Sequence, residues 1–283
     1  AQIAAAAGEA GFAGDELLKV TEAAAKIGVA FGVSAEEAGD ALPQLMNSMG
    51  LTLDEVILLS DGINHLSNNM AASAPKVLNF MHRAGAAGNK FGFTAEQTAA
   101  FGATMIASGF QADVAATSFR NMGKYLTLGA SNTGRVKGAF KALGMEAVAV
   151  SESMQEDAVG TTLKVIEAIQ ALPEAQRASI SNDLFGSEAR ALDGLLGNTD
   201  VLRQSLGLVA DEAIYAGSAF KEYEVRAATF GAKTQRFSNV LENLKITIGT
   251  ALIPALSDLL ETIMPVVEKM TAFAEAHPEI VSN

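Results

Sequence analysis

The chain contains no cysteine and no tryptophan, and only three histidines in 283 residues. Without cysteine there is no disulfide, no thiolate zinc site and no thiol nucleophile. That usage fits a reducing compartment without proving one. His65, His82 and His277 have no metal-ligand spacing to one another, so no metal site is expected. Aromatic residues make up 6%, too few for a β-sandwich built on Tyr, Val, Ile and Thr. Basic residues are also short, with 20 Lys and Arg against 32 Asp and Glu and a formal net charge of -12. A chain without a basic surplus is not expected to grip phosphate backbones, so no direct sequence-specific nucleic acid binding is expected. No long apolar run is present. The uncharged stretch over residues 97–112 is interrupted by Gly102 and Gly109 and is too short and polar to span a bilayer, so no membrane role is expected within these residues. Residues 1–7 show neither a basic leader region nor an initiator Met, and both ends have mid-helix composition. The expectation is a piece of a longer polypeptide.

What is abundant is alanine, glycine and a short recurring phrase. Glycine, an apolar residue, Ser or Thr, any residue, an acid, then Glu or Gln occurs as Gly32-Val33-Ser34-Ala35-Glu36-Glu37, Gly50-Leu51-Thr52-Leu53-Asp54-Glu55 and Gly92-Phe93-Thr94-Ala95-Glu96-Gln97. A looser copy is Gly109-Phe110-Gln111-Ala112-Asp113-Val114. Glycine ends one helix in the left-handed conformation. Ser34, Thr52 and Thr94 cap the next, and Glu37, Glu55 and Gln97 close the capping box. The phrase encodes helix, sharp corner, helix.

Leu17, Val20, Ala24, Ile27 and Phe31 mark an amphipathic helix over 15–31, with Asp15 as its expected N-cap. Pro43 is expected to kink or split the next helix. Helices follow Thr52, Ala74-Pro75, Thr94 and Gln111, then shorter ones cover 135–143, 153–171, 174–184, 187–196 and 199–208. Ala147-Val148-Ala149-Val150 is the nearest approach to strand alternation and is expected as an extended link or single strand. From residue 220 apolar positions step by three and four: Phe220, Tyr223, Ala227, Phe230, Thr234, Phe237, Leu241, Leu244 and Ile248. This heptad seam admits two readings, self-association as a coiled coil or a long amphipathic helix packed on its own domain. The expected organisation is all-α: a compact multi-helical domain over 1–210, its short helices joined by tight capped turns, then a long heptad-patterned segment over 211–283 with kinks at Pro254 and Pro265.

No catalytic, cofactor or metal constellation emerges. Asp61 and His65 lie at i, i+4, which reads as a helix-surface hydrogen bond or ion pair. Gly85-Ala86-Ala87-Gly88-Asn89-Lys90 lacks the spacing, hydroxyl and preceding strand of a phosphate loop, so it reads as a helix C-cap. Carboxylates such as Glu36, Glu37, Asp54 and Glu55 suit first helical turns. The ten methionines are scattered and read as core filler.

With these residues in view, the chain resembles the phage tail tape measure proteins, in particular the core region of siphophage and prophage tapes. The resemblance covers residues 15–265. It is carried in order by Phe31-Gly32-Val33-Ser34 with Glu36-Glu37-Ala38, then Asp61-Gly62-Ile63-Asn64-His65-Leu66, Gly92-Phe93-Thr94-Ala95-Glu96-Gln97-Thr98-Ala99-Ala100, Leu184-Phe185-Gly186-Ser187-Glu188-Ala189 and Ile248-Gly249-Thr250-Ala251-Leu252-Ile253-Pro254. The family's proteins are much longer and usually carry extended coiled-coil repeats and membrane-active segments, neither of which appears here beyond the seam at 220–248. The resemblance implies a non-enzymatic structural role in tail assembly and tail length determination. It implies further copies of the chain, tail tube, tail tip or baseplate proteins and assembly chaperones as partners. It also implies a place in the virion tail and, during assembly, in the host cytoplasm. The alternatives are a membrane-active, pore-forming or ejection-type helical protein and, behind it, a cell-wall hydrolase-associated module.

Overall fold

The computed structural model describes residues 2–187, 190–229, 263–265 and 271. The chain divides into two units, residues 1–226 and residues 227–283. Regular structure among the described residues is helical throughout. The order in the first unit is α1 (Gln2–Glu9), α2 (Gly14–Phe31), α3 (Ala35–Met49), α4 (Leu53–Asn69), α5 (Ala74–Lys90), α6 (Ala95–Ala107) and α7 (Ala112–Thr127). A 3-10 turn at Gly129–Ser131 leads to α8 (Gly134–Ala142), α9 (Ala147–Glu156), α10 (Ala158–Gln170), α11 (Glu174–Phe185), α12 (Leu192–Gly197), α13 (Thr199–Leu208), α14 (Glu212–Tyr215) and α15 (Ser218–Ala227). Residues 263–265 and 271 of the second unit are helical.

The glycine phrases sit at the corners. Gly32, Gly50, Gly92 and Gly109 have φ of 72°, 70°, 91° and 97°, which a Cβ would disfavour. The amide of the following apolar residue closes the helix end. Val33 donates to the Gly28 carbonyl at 3.0 Å, Leu51 to Met46 at 2.9 Å, Phe93 to Gly88 at 3.0 Å and Phe110 to Met105 at 3.3 Å. This is the Schellman arrangement, which satisfies otherwise orphaned carbonyls and turns the apolar residue inward. A fifth corner of the same form is Gly144-Met145, where Met145 donates to Phe140 at 2.9 Å. Glu146 stands there where the phrase has a hydroxyl, so the sequence pattern does not find it.

Helix α6 lies at the centre, contacting α4, α5, α7, α12 and α13. Every residue from Thr98 to Ile106 is buried. Close approach comes from missing side chains. A Cβ on Gly102 would lie 2.3 Å from the Phe80 ring, one on Gly88 2.1 Å from the Thr98 hydroxyl, and one on Gly123 2.0 Å from the Phe91 ring. Phe119 packs among the surrounding rings. Its ring centroid lies 5.7 Å from Phe80, 5.7 Å from Phe101, 5.5 Å from Phe93 and 6.4 Å from Phe91, the separations at which tilted and edge-on rings attract. The small-residue stretch over 97–112 therefore serves intramolecular packing.

Several local expectations change. Residues 147–150 are helical, because Ala147, Val150 and Met154 form one buried helical face while Val148 points out. The single helix expected over 153–171 breaks at Asp157, whose side chain accepts the Gly160 amide at 2.8 Å and caps α10. Pro43 does not split α3, which runs continuously through it. Asp15 lies in the first turn of α2 behind an N-cap at Ala13. Gly85 and Gly88 lie in the last turns of α5 and face Met49 and Thr98 as packing positions, and the helix they end is capped just beyond, at Phe91. Beyond residue 210, Tyr215 and Ala219 are buried in the first unit. Most of the heptad-patterned segment expected from residue 220 lies outside the described residues, which take in only its start in α15.

Candidate functional site

The most constructed polar site joins the middle of α4 to the start of α15. The second turn of α4 would continue an apolar face through Val56, Leu59, Ile63 and Leu66, all buried. Asp61, Gly62 and Asn64 interrupt it and are buried too. Asp61 accepts the Gly217 amide on Oδ2 and the Ala219 amide on Oδ1, both at 2.8 Å. The Asn64 amide donates to the Ser218 carbonyl at 3.1 Å and to its Oγ at 2.8 Å. Three successive residues at the head of α15 are thus held by two side chains one helical turn apart. A carboxylate there satisfies orphaned N–H groups and faces the positive end of the helix.

Tyr215 supplies the third element. Its buried ring lies beside Gly62, where a Cβ would make an ordinary contact at 3.7 Å. A cleft of about 330 Å³ is lined by Asp54, Glu55, Ile57, Leu58, Asp61 and Glu212. Burial pushes the Asp61 carboxyl above its ordinary 3.8, and the two amide bonds offset part of that rise. Burial likewise pushes the Tyr215 phenol up to about 12, helped by the nearby charges of Glu96, Glu212, Asp61 and Asp211. Asp61 is therefore bound to Gly217 and Ala219, in place of the surface pairing with His65. Its partners lie more than 150 residues away. The only local signal is an Asp-Gly-x-Asn interruption in an apolar helix.

The cap residues sit where the phrase places them. Thr52 Oγ1 accepts the Glu55 amide at 3.3 Å while Glu55 takes the Thr52 amide at 2.7 Å. The Thr52 hydroxyl also donates to that carboxylate at 2.8 Å, and the amide and hydroxyl bonds together hold the Glu55 carboxyl below its usual range. Thr94 and Gln97 repeat the exchange at 3.1 and 3.0 Å. Ser34 accepts the Glu37 amide at 3.1 Å, but the return bond of a full box is formed only at Thr52 and Thr94 among these three. In the looser copy, Gln111 makes no side-chain cap bond.

The seam residues divide by position. Phe220 and Tyr223 are half-buried against the core of their own unit, and the Lys26 ammonium stands 5.4 Å from the Phe220 ring centroid. Ala227 ends α15 and is half-buried. Phe230, Thr234, Phe237, Leu241, Leu244 and Ile248 lie outside the described residues. Among the described residues no group of three His, Asp or Glu side chains is placed to hold a metal ion, and no helix is long and apolar enough to cross a membrane.

Comparison with known proteins gives a consistent result. Residues 1–186 match the family described as phage-related minor tail protein. A probable tape measure protein of Halomonas phage phiHAP-1 is 32% identical over 268 residues, covering 94% of this chain and 31% of that protein. A probable tape measure protein of Burkholderia phage BcepMu is 36% identical over 61 residues, 22% of this chain and 7% of that protein. The chain thus spans about a third or less of the length of the curated relatives it matches. No solved structure matches it. With most of its length matched by the family and nearly all of it aligned with the first relative, the chain belongs to the phage-related minor tail protein family.

Proposed function

We propose that this chain is a segment of a phage tail tape measure protein. It acts in tail assembly and tail length determination by helical self-association and by binding other tail proteins. The observation that carries this is the alignment of 94% of the chain with a protein named a probable tape measure protein. The partners are tail tube and tail tip or baseplate proteins and assembly chaperones. The place of action is the host cytoplasm during assembly and then the virion tail. The role is structural and non-catalytic.

The architecture supports a division of labour. Capped corners and the crowded core around α6 give the first unit a fixed shape. The Asp61–Asn64 clasp holds the head of α15 on α4. Phe220 and Tyr223 are used on the unit's own core, so pairing between copies falls to Phe230, Thr234, Phe237, Leu241, Leu244 and Ile248. A helix advances about 1.5 Å per residue, so in-frame duplication of residues 221–248 in the encoding phage lengthens the tail by about 42 Å, measured by electron microscopy of virions. Unchanged tail length in virions that contain the duplicated protein would contradict the proposal.

A further inference from the structure

The net charge of -12 conceals a sharp segregation. Residues 70–145 hold eight Lys and Arg against two Asp and Glu, whereas residues 1–69 hold two against ten. The structure gathers much of this onto one face. Lys76, Arg83 and Lys90 recur at seven-residue steps on α5 and are all exposed, a line of about 21 Å along the helix. Arg120 and Lys124 are exposed one turn apart on α7. The Arg120 guanidinium reaches the Arg83 carbonyl at 3.4 Å, which merges the two lines into one basic ridge.

On the other side of α5, α3 presents Glu37 and Asp40, both exposed. Three clefts of about 530, 360 and 310 Å³ run between these helices and share walls. Asp40 and His82 line the first two, and Glu37 and Asn79 line the second and third. The third also reaches Lys76 and Arg83. Acidic and basic halves therefore adjoin on one grooved face. The ion pairs among the described residues are Lys26–Glu22, Arg135–Asp183, Arg203–Glu167 and Arg226–Glu222. None of them uses a charge of this face.

A surface with adjoining positive and negative halves is complementary to itself under a two-fold rotation. We propose that the α3–α5–α7 face is a contact surface between two copies of this chain, each acidic stripe meeting the other copy's basic ridge. The proposal rests on the self-association reading above and adds a surface distinct from the 220–248 seam. A nucleic acid backbone fits less well, since it would meet Glu37, Asp40 and Asp113 along the same clefts.

The test is the mass of the full chain by light scattering over a concentration series, at about 0.05 M and about 0.5 M salt, where charge screening differs strongly. The expected result is a dimer at low salt that weakens about tenfold or more at high salt. The same loss is expected at low salt in Arg83→Glu with Arg120→Glu, with recovery when Glu37→Lys and Asp40→Lys are added. Circular dichroism melts matching wild type establish that these surface variants fold. Leu241→Asp is run in parallel. Association abolished by Leu241→Asp and untouched by the charge reversals overturns this face and leaves the seam reading standing. Association abolished by the charge reversals and untouched by Leu241→Asp supports the face and sinks the seam. A monomer at low salt overturns the proposal. So does failure of the four-charge variant to recover, or a monomer whose ridge binds duplex DNA in fluorescence anisotropy.

Discussion

Helices α6 and α15 are held in the same unit by different means. Nine of the thirteen residues of α6 are buried, against one of ten in α15. Around α6, glycines at 88, 102 and 123 let neighbouring side chains fill the space a Cβ would occupy, and dispersion and apolar burial do the holding. At α15 only Ala219 is buried. There, backbone amides donating to the Asp61 carboxyl, the Asn64 side chain donating to Ser218 and the buried Tyr215 just before the helix hold it. Many apolar contacts fail together, whereas a few polar bonds can be lost while the rest of the fold stands. The first arrangement suits a fixed platform. The second suits an element that can open while the rest of the unit holds.

The largest effect is expected in the core. Phe119→Ala removes a fully buried ring that touches four others and costs about 3–5 kcal/mol. Urea unfolding followed by circular dichroism will read it as one cooperative loss. A cost below about 1 kcal/mol would mean the core is not packed as described. Next comes Asp61→Ala, which strands the buried Ala219 amide and the part-buried Gly217 amide and costs about 1.5–3 kcal/mol, with its effect concentrated on residues 211–226.

A smaller gain is expected at the incomplete corner. Gln111 sits at an N-cap without a side-chain cap bond. Gln111→Ser gives that cap an acceptor and stabilises by about 0.5–1 kcal/mol in thermal melts. The same change leaves the fully capped corners at Thr52 and Thr94 as the internal standard.

The smallest effect is a pH dependence. Burial raises the folded-state pKa of Asp61 above its ordinary 3.8, so the fold binds this proton more tightly than the unfolded chain does. Stability from this group therefore falls as pH rises from the unfolded value through the folded one. Plotted against pH, the stability of wild type relative to Asp61→Asn will slope downward across that window and flatten on either side. A slope of opposite sign would mean that the amide bonds outweigh burial at Asp61.

Much of the fold is legible in the sequence because it is local. Gly32, Gly50 and Gly92 with Ser34, Thr52 and Thr94 mark their corners within six residues, and capping is decided over that distance. Helix 147–156 is missed because four alternating Ala and Val residues mimic a strand, and only its burial through Met154 reveals the helical period. The fifth corner at Gly144 is hidden by Glu146 in the capping position. The clasp is invisible for a different reason: Asp61 and Asn64 stand out in an apolar helix, but nothing local points to residues 217–219. The charge segregation between residues 1–69 and 70–145 is fully present in the sequence and disappears when charge is summed over the whole chain.

The contrast between α6 and α15 is tested most directly by hydrogen exchange with mass spectrometry on the full chain, wild type against Asp61→Ala. Peptides covering residues 211–226 are expected to lose protection by about tenfold or more while those covering α6 keep theirs, the mark of local opening. Equal loss in both regions would show a single cooperative unit, and no loss in residues 211–226 would show that Asp61 does not hold α15.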